Sequence, residues 1–183
     1  AKDGVFYDVG SNWGYFAVWL AGRPGFSGKA HAFEPEPSNF ADLRSAVSQA
    51  GLESRVTCHE MALSDRSGAG RIMVQDGMHG GCASLSEEQG GSVRLSRLDD
   101  LGFEPPSVIK LDVEDHEAQA LAGGSSLLAR SRPYVVFESR SLAEKPEITL
   151  GPFKVLEGLG YRFFHPSWVV RDGGGVAFLR SVP

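Results

Sequence analysis

Short apolar runs alternate with segments of helical periodicity along this chain, and this alternation constrains the fold more than any other feature. Apolar runs cover residues 4–10, 29–34 and 55–62, and helical segments at 13–21 and 37–50 separate them. The order strand, helix, strand, helix, strand predicts the half-unit of a doubly wound parallel sheet.

The alternation resumes in the second half of the chain. Residues 107–112 form an apolar run that ends in charge, which is typical of a central strand in a parallel sheet. The elements predicted after it are helices at 117–122, 125–130 and 153–159 and strands at 134–138, 160–164 and 176–179, the last two joined by a turn near 172–174. The chain is therefore predicted to have an α/β fold with a seven-stranded, mostly parallel sheet.

A segment rich in Gly and Ser, residues 64–98, interrupts the alternation. Its alternating runs at 70–74 and 92–96 predict an antiparallel β-hairpin, and the glycine-rich stretch 77–91 is expected to be a mobile lid loop. With 183 residues, we expect a single domain over 1–183 that carries this hairpin as an insertion. Since the sequence opens on a strand, we expect a further helix upstream of it.

Composition narrows the class of protein. Lys and Arg number 18 against 23 Asp and Glu, so the net charge is −5, which argues against nucleic acid as a partner. No run approaches the roughly 20 apolar residues of a membrane span, and the first residues do not form a secretory signal. The two cysteines, Cys58 and Cys82, are expected to be free thiols rather than one disulfide. We expect a soluble, cytoplasmic protein.

Acidic residues collect where the predicted strands end. Ligands of open α/β sheets bind outside the carboxyl ends of the strands. Four of the five ends carry carboxylates, namely Asp8, Glu34, Asp112 with Glu114, and Glu138, and the remaining end is Ala62 and Leu63. Like charges at one edge are costly unless they bind something, so this edge is the predicted ligand site.

The first strand leads into a turn with two glycines. Gly10 and Gly14 let the backbone approach a ligand, and the helix that follows offers free N–H groups. Their GxxxG spacing differs from the GxGxxG of dinucleotide folds, and Asp8 would favour a ligand with a cationic amine. Glu34 stands 24 residues after Gly10, where doubly wound folds place an acid for ribose hydroxyls. Together these positions predict an adenosine-bearing ligand, and the alternative is a tight turn without one.

The densest charge group follows the central strand. Asp115 and Glu117 are expected to be carboxylates that favour the start of a helix. Asp112 lies at the strand tip, and His116 is either a base near neutral pH or a solvated side chain. By ligand type Asp112, Glu114 and His116 could also bind a metal, but no ligand spacing supports this, and we predict no metal.

Several segments resemble one known family. They are DVGSNWG (8–14), AFEP (32–35), ALSD (62–65), LDDL (98–101) and IKLDVE (109–114), with Glu138 after the next strand. In this order they resemble the FkbM family, class I S-adenosylmethionine-dependent methyltransferases that are mostly O-methyltransferases. Family members usually carry Gly where this chain has Asp115.

The resemblance implies a cofactor site and a reaction. The cofactor-binding residues would be Asp8, Gly10, Ser11, Asn12 and Gly14 for the methionine portion, Glu34 with Pro35 for the ribose, Ala62 and Leu63 for the adenine, and Asp112 near the methyl group. A hydroxyl on a sugar or natural product would be methylated, with Asp112 as the first candidate base and His116 and Glu138 as further candidates. The alternatives are a non-catalytic S-adenosylmethionine-binding module and an NAD-dependent oxidoreductase, for which the glycine-rich pyrophosphate loop is absent from the sequence.

Overall fold

The fold is taken from a computed structural model that describes residues 3–74, 83–86, 91–139, 146–171 and 174–181. Most of the predicted lid loop at 77–91, the turn near 172–174 except residue 174, and Cys82 lie outside these residues. Cys58 is a half-buried free thiol. In the described part of the chain, no helix is both long and apolar enough to span a membrane.

Helices and strands alternate as the sequence pattern predicts. In chain order they are β1 (Val5–Val9), α1 (Tyr15–Ala21), β2 (Lys29–Phe33), α2 (Pro37–Gln49), β3 (Val56–His59), β4 (Ala62–Leu63), β5 (Gly68–Val74), β6 (Ala83–Ser86), β7 (Val93–Ser96), β8 (Val108–Leu111), α3 (Glu117–Ala122), α4 (Ser125–Ser131), β9 (Tyr134–Phe137), α5 (Pro146–Gly158), β10 (Phe164–Arg171) and β11 (Gly174–Ser181). A short 3₁₀ helix, Leu98–Asp100, links β7 to the chain before β8.

Five parallel strands form the central sheet in the order β3-β2-β1-β8-β9. The predicted α/β class and parallel sheet are confirmed. The predicted count of seven strands is wrong for the described residues, where β10 and β11 pair with each other in a separate antiparallel sheet. Each of these strands has eight residues, so the long two-stranded ladder satisfies their facing backbone groups.

The insertion forms a second sheet in the order β4-β7-β5-β6. The predicted antiparallel pairing of the runs 70–74 and 92–96 is confirmed only at Gly70, which lies opposite Val93, because residues 71–74 pair with β6 instead. The single strand predicted at 55–62 is instead divided: β3 ends at His59, and β4 pairs in parallel with β7 rather than with the central sheet. The sequence pattern also missed β6, which pairs with the end of β5.

Alternate residues of the central strands face two apolar cores, as the two-residue period of a strand requires. On one face Tyr7, Phe33 and Leu111 pack with helical side chains such as Leu128 and Leu156. On the other face small side chains of β2 allow α1 and α2 to approach closely, with Leu43 fully buried. Burial of both faces holds the strand ends in fixed positions, and the candidate site lies at those ends.

Candidate functional site

The carboxyl ends of β1, β2, β4 and β8 surround one cleft. Seven of the residues predicted to bind a cofactor line it: Gly10, Asn12, Glu34, Pro35, Ala62, Leu63 and Asp112. His116 lines it as well, and it lies with Asp112 on the β8 side. Of the remaining predicted residues, Asp8, Ser11, Gly14 and Glu138 are outside the cleft lining that these described residues form.

The loop after β1 depends on its two glycines. Gly10 has a φ of 73°, and a Cβ there would lie 1.9 Å from the backbone oxygen of Asp112. Gly14 has a φ of 92°, and a Cβ there would lie 2.5 Å from Cδ1 of Leu43. Only glycine fits both the positive φ and the close approach, so the loop is held tightly against β8 and α2.

Asp8 supports this loop from behind. Its side chain is fully buried, Oδ2 accepts a hydrogen bond from the Ala17 backbone N–H at 3.0 Å, and Oδ1 lies 3.4 Å from Nζ of Lys110. Burial raises the pKa of Asp8, and Lys110 and the Ala17 N–H oppose that rise. Ser11 adds a second support, since its Oγ donates to the Asp8 carbonyl at 2.7 Å. These contacts fix the start of α1 relative to β1.

Glu34 lines the cleft and also organises two backbone segments. Oε2 accepts the Asn12 N–H at 2.8 Å, and Oε1 accepts the Glu36 N–H at 3.0 Å. Burial raises the pKa of Glu34, while both N–H groups counteract the shift. A carboxylate offers about four lone-pair sites, so each oxygen can still accept a hydrogen bond from a ligand hydroxyl.

Lys110 connects the two sides of the cleft, and it is not among the site residues predicted from the sequence. Its Nζ donates to the Gly10 carbonyl at 3.2 Å and lies 3.4 Å from Oδ1 of Asp8 and 3.5 Å from Oδ2 of Asp112. The Phe16 ring centroid is 4.9 Å from the same nitrogen. A lysine inside an apolar central strand was the available signal, because buried lysines are rare unless they are paired.

The three candidate bases occupy different environments. Asp112 is 43% exposed and lies next to the Lys110 ammonium. His116 is buried at the first position before α3, where its Nε2 is 3.1 Å from the Ser64 Oγ. Glu138 is exposed just after β9, and its backbone N–H donates to the Leu111 carbonyl at 3.3 Å. Asp112 is thus a half-exposed carboxylate at the cleft.

The connection from β8 to α3 adopts an unusual backbone. Glu114 and Asp115 have φ values of 50° and 74°, in the left-handed region that glycine prefers. Glu117, predicted as a helix-start carboxylate, accepts the Val113 N–H at 3.0 Å and closes this turn. Burial raises the pKa of Glu117. Strained residues of this kind are concentrated at functional sites.

The carboxylates of this group have protein partners. Among the described residues, no three or more His, Cys, Asp or Glu side chains gather in a geometry that could hold a metal ion. The acids instead accept backbone N–H groups or face Lys110.

The parallel sheet and the cleft at its carboxyl edge define an α/β protein of the class I methyltransferase type. The family model for the Methyltransferase FkbM domain matches residues 8–163. The chain belongs to this family, and the resemblance seen in the sequence motifs is confirmed.

Known proteins show similarity over most of the chain. The hexuronic acid methyltransferase AglP of Haloferax volcanii is 29% identical over 152 residues, which cover 81% of this chain and 61% of AglP. The crystal structure of the methyltransferase FkbM from Methylobacillus flagellatus KT has a TM-score of 0.65 at 16% identity, covering 98% of this chain and 44% of that one. The O-methyltransferase from Bacillus cereus in complex with SAH has a TM-score of 0.53 at 17% identity, with 97% and 73% covered. The chain therefore spans less than two thirds of the first two proteins.

Proposed function

We propose that this chain is an S-adenosylmethionine-dependent methyltransferase that methylates a hydroxyl group of a sugar, and that the sugar is a hexuronic acid. The observation that carries the proposal is the position of Glu34, whose buried carboxylate faces the cleft in a member of the FkbM family. The sugar acceptor is inferred from AglP, a relative that acts on a hexuronic acid.

The residues of the cleft fit this cofactor. Glu34 would accept the ribose hydroxyls, and the backbone from Gly10 to Gly14 would hold the methionine portion, with Asn12 at the cleft and Asp8 and Ser11 supporting from behind. Pro35, Ala62 and Leu63 would border the adenine, for which their apolar surfaces are suited. When bound, S-adenosylmethionine supplies a methyl group on a positively charged sulfur.

Asp112 is the proposed general base. Its half-exposed carboxylate can reach an acceptor in the cleft, and its Oδ2 lies 3.5 Å from Nζ of Lys110, which holds the side chain at the cleft edge. A correctly placed base is typically worth about 10²- to 10⁴-fold in rate, and alignment of the acceptor oxygen adds to this. His116 and Glu138 are the further candidates, His116 with its ring tied to Ser64 and Glu138 beside Asp112 at the neighbouring strand end.

The composition of the chain fits a small-molecule acceptor and a cytoplasmic location. With a net charge of −5 the chain is poorly suited to nucleic acid, and two cysteines in 183 residues are compatible with a reducing compartment. An NAD-dependent oxidoreductase is not favoured, because the family match and the loop spacing both differ from that class. A non-catalytic cofactor-binding module would bind S-adenosylmethionine without transferring its methyl group, and a transfer assay distinguishes it from an enzyme.

The experiment measures transfer of a labelled methyl group from S-adenosylmethionine to a glucuronic acid glycoside. We expect transfer by the native chain and a turnover at least about 100-fold lower in Asp112→Asn, which keeps the shape and removes the charge. Cofactor affinity, followed by calorimetry, should change far less, because the ribose contact lies on β2. Asp42→Asn, on the exposed side of α2, is the matched control and should behave like the native chain.

Two results would contradict the proposal. Cofactor binding without transfer to any uronic or neutral sugar would indicate a binding module or another acceptor. Native turnover in Asp112→Asn would show that another group accepts the proton of the acceptor hydroxyl. His116→Asn and Glu138→Gln would then be tested in the same assay.

A further inference from the structure

The outward side of α1 is aromatic where a surface helix is normally polar. Trp13, Tyr15, Phe16 and Trp19 are 53%, 52%, 46% and 52% exposed. The helix reads YFAVWLA and has no charged residue, while Ala17 and Ala21 face the core. Solvent-facing arcs of amphipathic helices normally carry charged and polar residues, so this arc is suited to contact with something other than water.

This aromatic surface adjoins the proposed catalytic residue. Trp13 follows Asn12 of the cleft, and ring centroids are 5.6 Å apart for Trp13 and Tyr15 and 5.1 Å apart for Tyr15 and Phe16. The Phe16 ring lies 4.9 Å from Nζ of Lys110, which is itself 3.5 Å from Oδ2 of Asp112. The rings therefore form a continuous surface that begins at the edge of the cleft. Trp19 lies one helical turn further along it.

The positively charged side chain of Arg23 lies at the end of this aromatic surface that is far from the cleft. The Arg23 guanidinium is 4.6 Å from the centre of the Trp19 ring, and Arg23 is exposed. Among the described residues, no carboxylate forms an ion pair with Arg23. In a chain with a net charge of −5, an aromatic surface that ends in an exposed guanidinium is complementary to a ligand with one apolar face and a carboxylate.

We propose that Trp13, Tyr15, Phe16, Trp19 and Arg23 form an aromatic shelf that binds the acceptor as a carbohydrate bearing a carboxylate. The C–H face of a pyranose ring stacks on the negative face of an aromatic ring, and Arg23 pairs with the carboxylate of the sugar. The inference rests on the proposed function, because it names the surface that presents a uronic acid acceptor to Asp112.

The extent of the shelf favours a sugar over a protein partner. Aromatic side chains bury about 150–250 Å² each, so four that are half exposed offer roughly 300–500 Å². A stable protein interface needs about 800 Å² on each side. A second copy of the chain would therefore have to extend onto Tyr134 of β9, which is 81% exposed on the same face of the sheet as Lys110.

The test is calorimetric titration of the full chain, loaded with S-adenosylhomocysteine, with a glucuronic acid disaccharide and with the neutral disaccharide maltose. We expect the native chain to bind the charged sugar more tightly. Trp19→Ala should raise its Kd about tenfold or more, as for an aromatic contact in a binding hot spot. Arg23→Gln should remove most of the preference for the charged sugar, and Phe164→Ala, half exposed on β10, should change neither Kd.

Circular dichroism and the affinity for S-adenosylhomocysteine establish that each variant is folded with an intact cofactor site. Native Kd values in both Trp19→Ala and Arg23→Gln would overturn the inference. Self-association that is lost in both Trp19→Ala and Tyr134→Ala, measured by sedimentation, would overturn it by showing an interface between copies. Because the titration requires no turnover, sugar binding without methyl transfer would reject the proposed function alone, and transfer with no effect of the shelf variants would reject this inference alone.

Discussion

At the scale of single residues, Glu34 combines a structural and a ligand-facing position in one carboxylate. It accepts the N–H groups of Asn12 and Glu36 and at the same time lines the cleft. Truncation to alanine would release both backbone segments, so loss of affinity in that variant would have two explanations. Glutamine keeps the volume and one acceptor oxygen, so it can retain one of the two backbone hydrogen bonds and is the less disruptive substitution.

Glu34→Gln should weaken S-adenosylhomocysteine binding about 10- to 100-fold, because charge-assisted hydrogen bonds of about 1.5–3 kcal/mol become neutral or are lost. Glu36→Gln is the matched control. Glu36 accepts the Asn39 N–H at the start of α2 and is outside the described cleft lining, so this variant should lose about 1 kcal/mol or less of stability and keep its affinity. Calorimetry and thermal unfolding measure both effects. Native affinity in Glu34→Gln would place the ribose elsewhere.

Asp115→Gly should stabilise the protein. Asp115 has a φ of 74°, a conformation that costs an L residue about 1–2 kcal/mol and that glycine adopts freely. The greater freedom of glycine in the unfolded chain removes part of this gain, so we expect the free energy of unfolding to rise by about 0.5–1 kcal/mol. Urea unfolding measures it, with Asp65→Gly, outside the left-handed region, as a control that should be destabilised. A loss of stability in Asp115→Gly would show that the contacts of the Asp115 side chain outweigh the strain.

Residue-level prediction from the sequence had a clear limit. Glu34, Asp112 and His116 stand at strand or helix ends, and the topology of parallel strands brings such ends together, so their meeting could be predicted. The position of Asp8 behind the loop could not, because it depends on the register that places Lys110 beside it. Local sequence patterns contain no information on the register between β1 and β8.

At the scale of elements, two histidines join β2 to β3. Nδ1 of His31 and Nε2 of His59 are 3.0 Å apart, and the Phe103 ring stacks on both imidazoles at 4.8 Å. In this hydrogen bond one ring donates and the other accepts, so the accepting ring must be neutral. Burial lowers the pKa of both side chains, that of His59 to about 4.

These pKa values predict destabilisation in mild acid. Below pH 6.5 the unfolded chain binds protons that the folded histidines do not, so stability that is fully present above pH 6.5 is lost as the pH falls toward 4. The loss should be of order 1–3 kcal/mol. His59→Gln, which does not titrate, should flatten this part of the curve of unfolding free energy against pH, measured with urea. Thr57→Gln, at an exposed and non-titrating position of β3, should keep the native slope, and a native slope in His59→Gln would contradict the assignment.

The order of elements was predictable, and the partners of the outer strands were not. The alternation of apolar runs with helical periodicity is a local pattern, and it correctly predicted β1 to β3, β8 and β9 with α1 and α2 between the first three. β4 leaves the central sheet because it pairs with β7, which lies about thirty residues further along the chain. The strand predicted at 160–164 is instead at Phe164–Arg171, and the strand predicted at 176–179 extends over Gly174–Ser181; these two strands are close in sequence and pair locally with each other.

At the scale of the whole molecule, the cleft is built from segments that are distant in sequence. Gly10 packs against the backbone of Asp112, and Gly123 packs against the backbone of Ser64 so closely that a Cβ would lie 1.9 Å from the Ser64 oxygen. These contacts tie the first strand to the fourth parallel strand and the insertion to the helices. A ligand that spans the cleft therefore contacts parts that separate on unfolding, and its binding energy adds to the stability of the folded chain.

This linkage predicts that cofactor binding raises the melting temperature. S-adenosylhomocysteine at 100 times its Kd should add about 2.7 kcal/mol, and for a domain of this size each kcal/mol raises Tm by about 2–4 °C, so Tm should rise by about 5–11 °C. NAD at the same concentration should give a much smaller shift, because the loop spacing does not match a pyrophosphate site. Glu34→Gln at that concentration of S-adenosylhomocysteine should show a reduced shift, which ties the effect to the cleft. Thermal unfolding followed by circular dichroism measures all three, and a shift with NAD but not with S-adenosylhomocysteine would assign the cleft to a different cofactor.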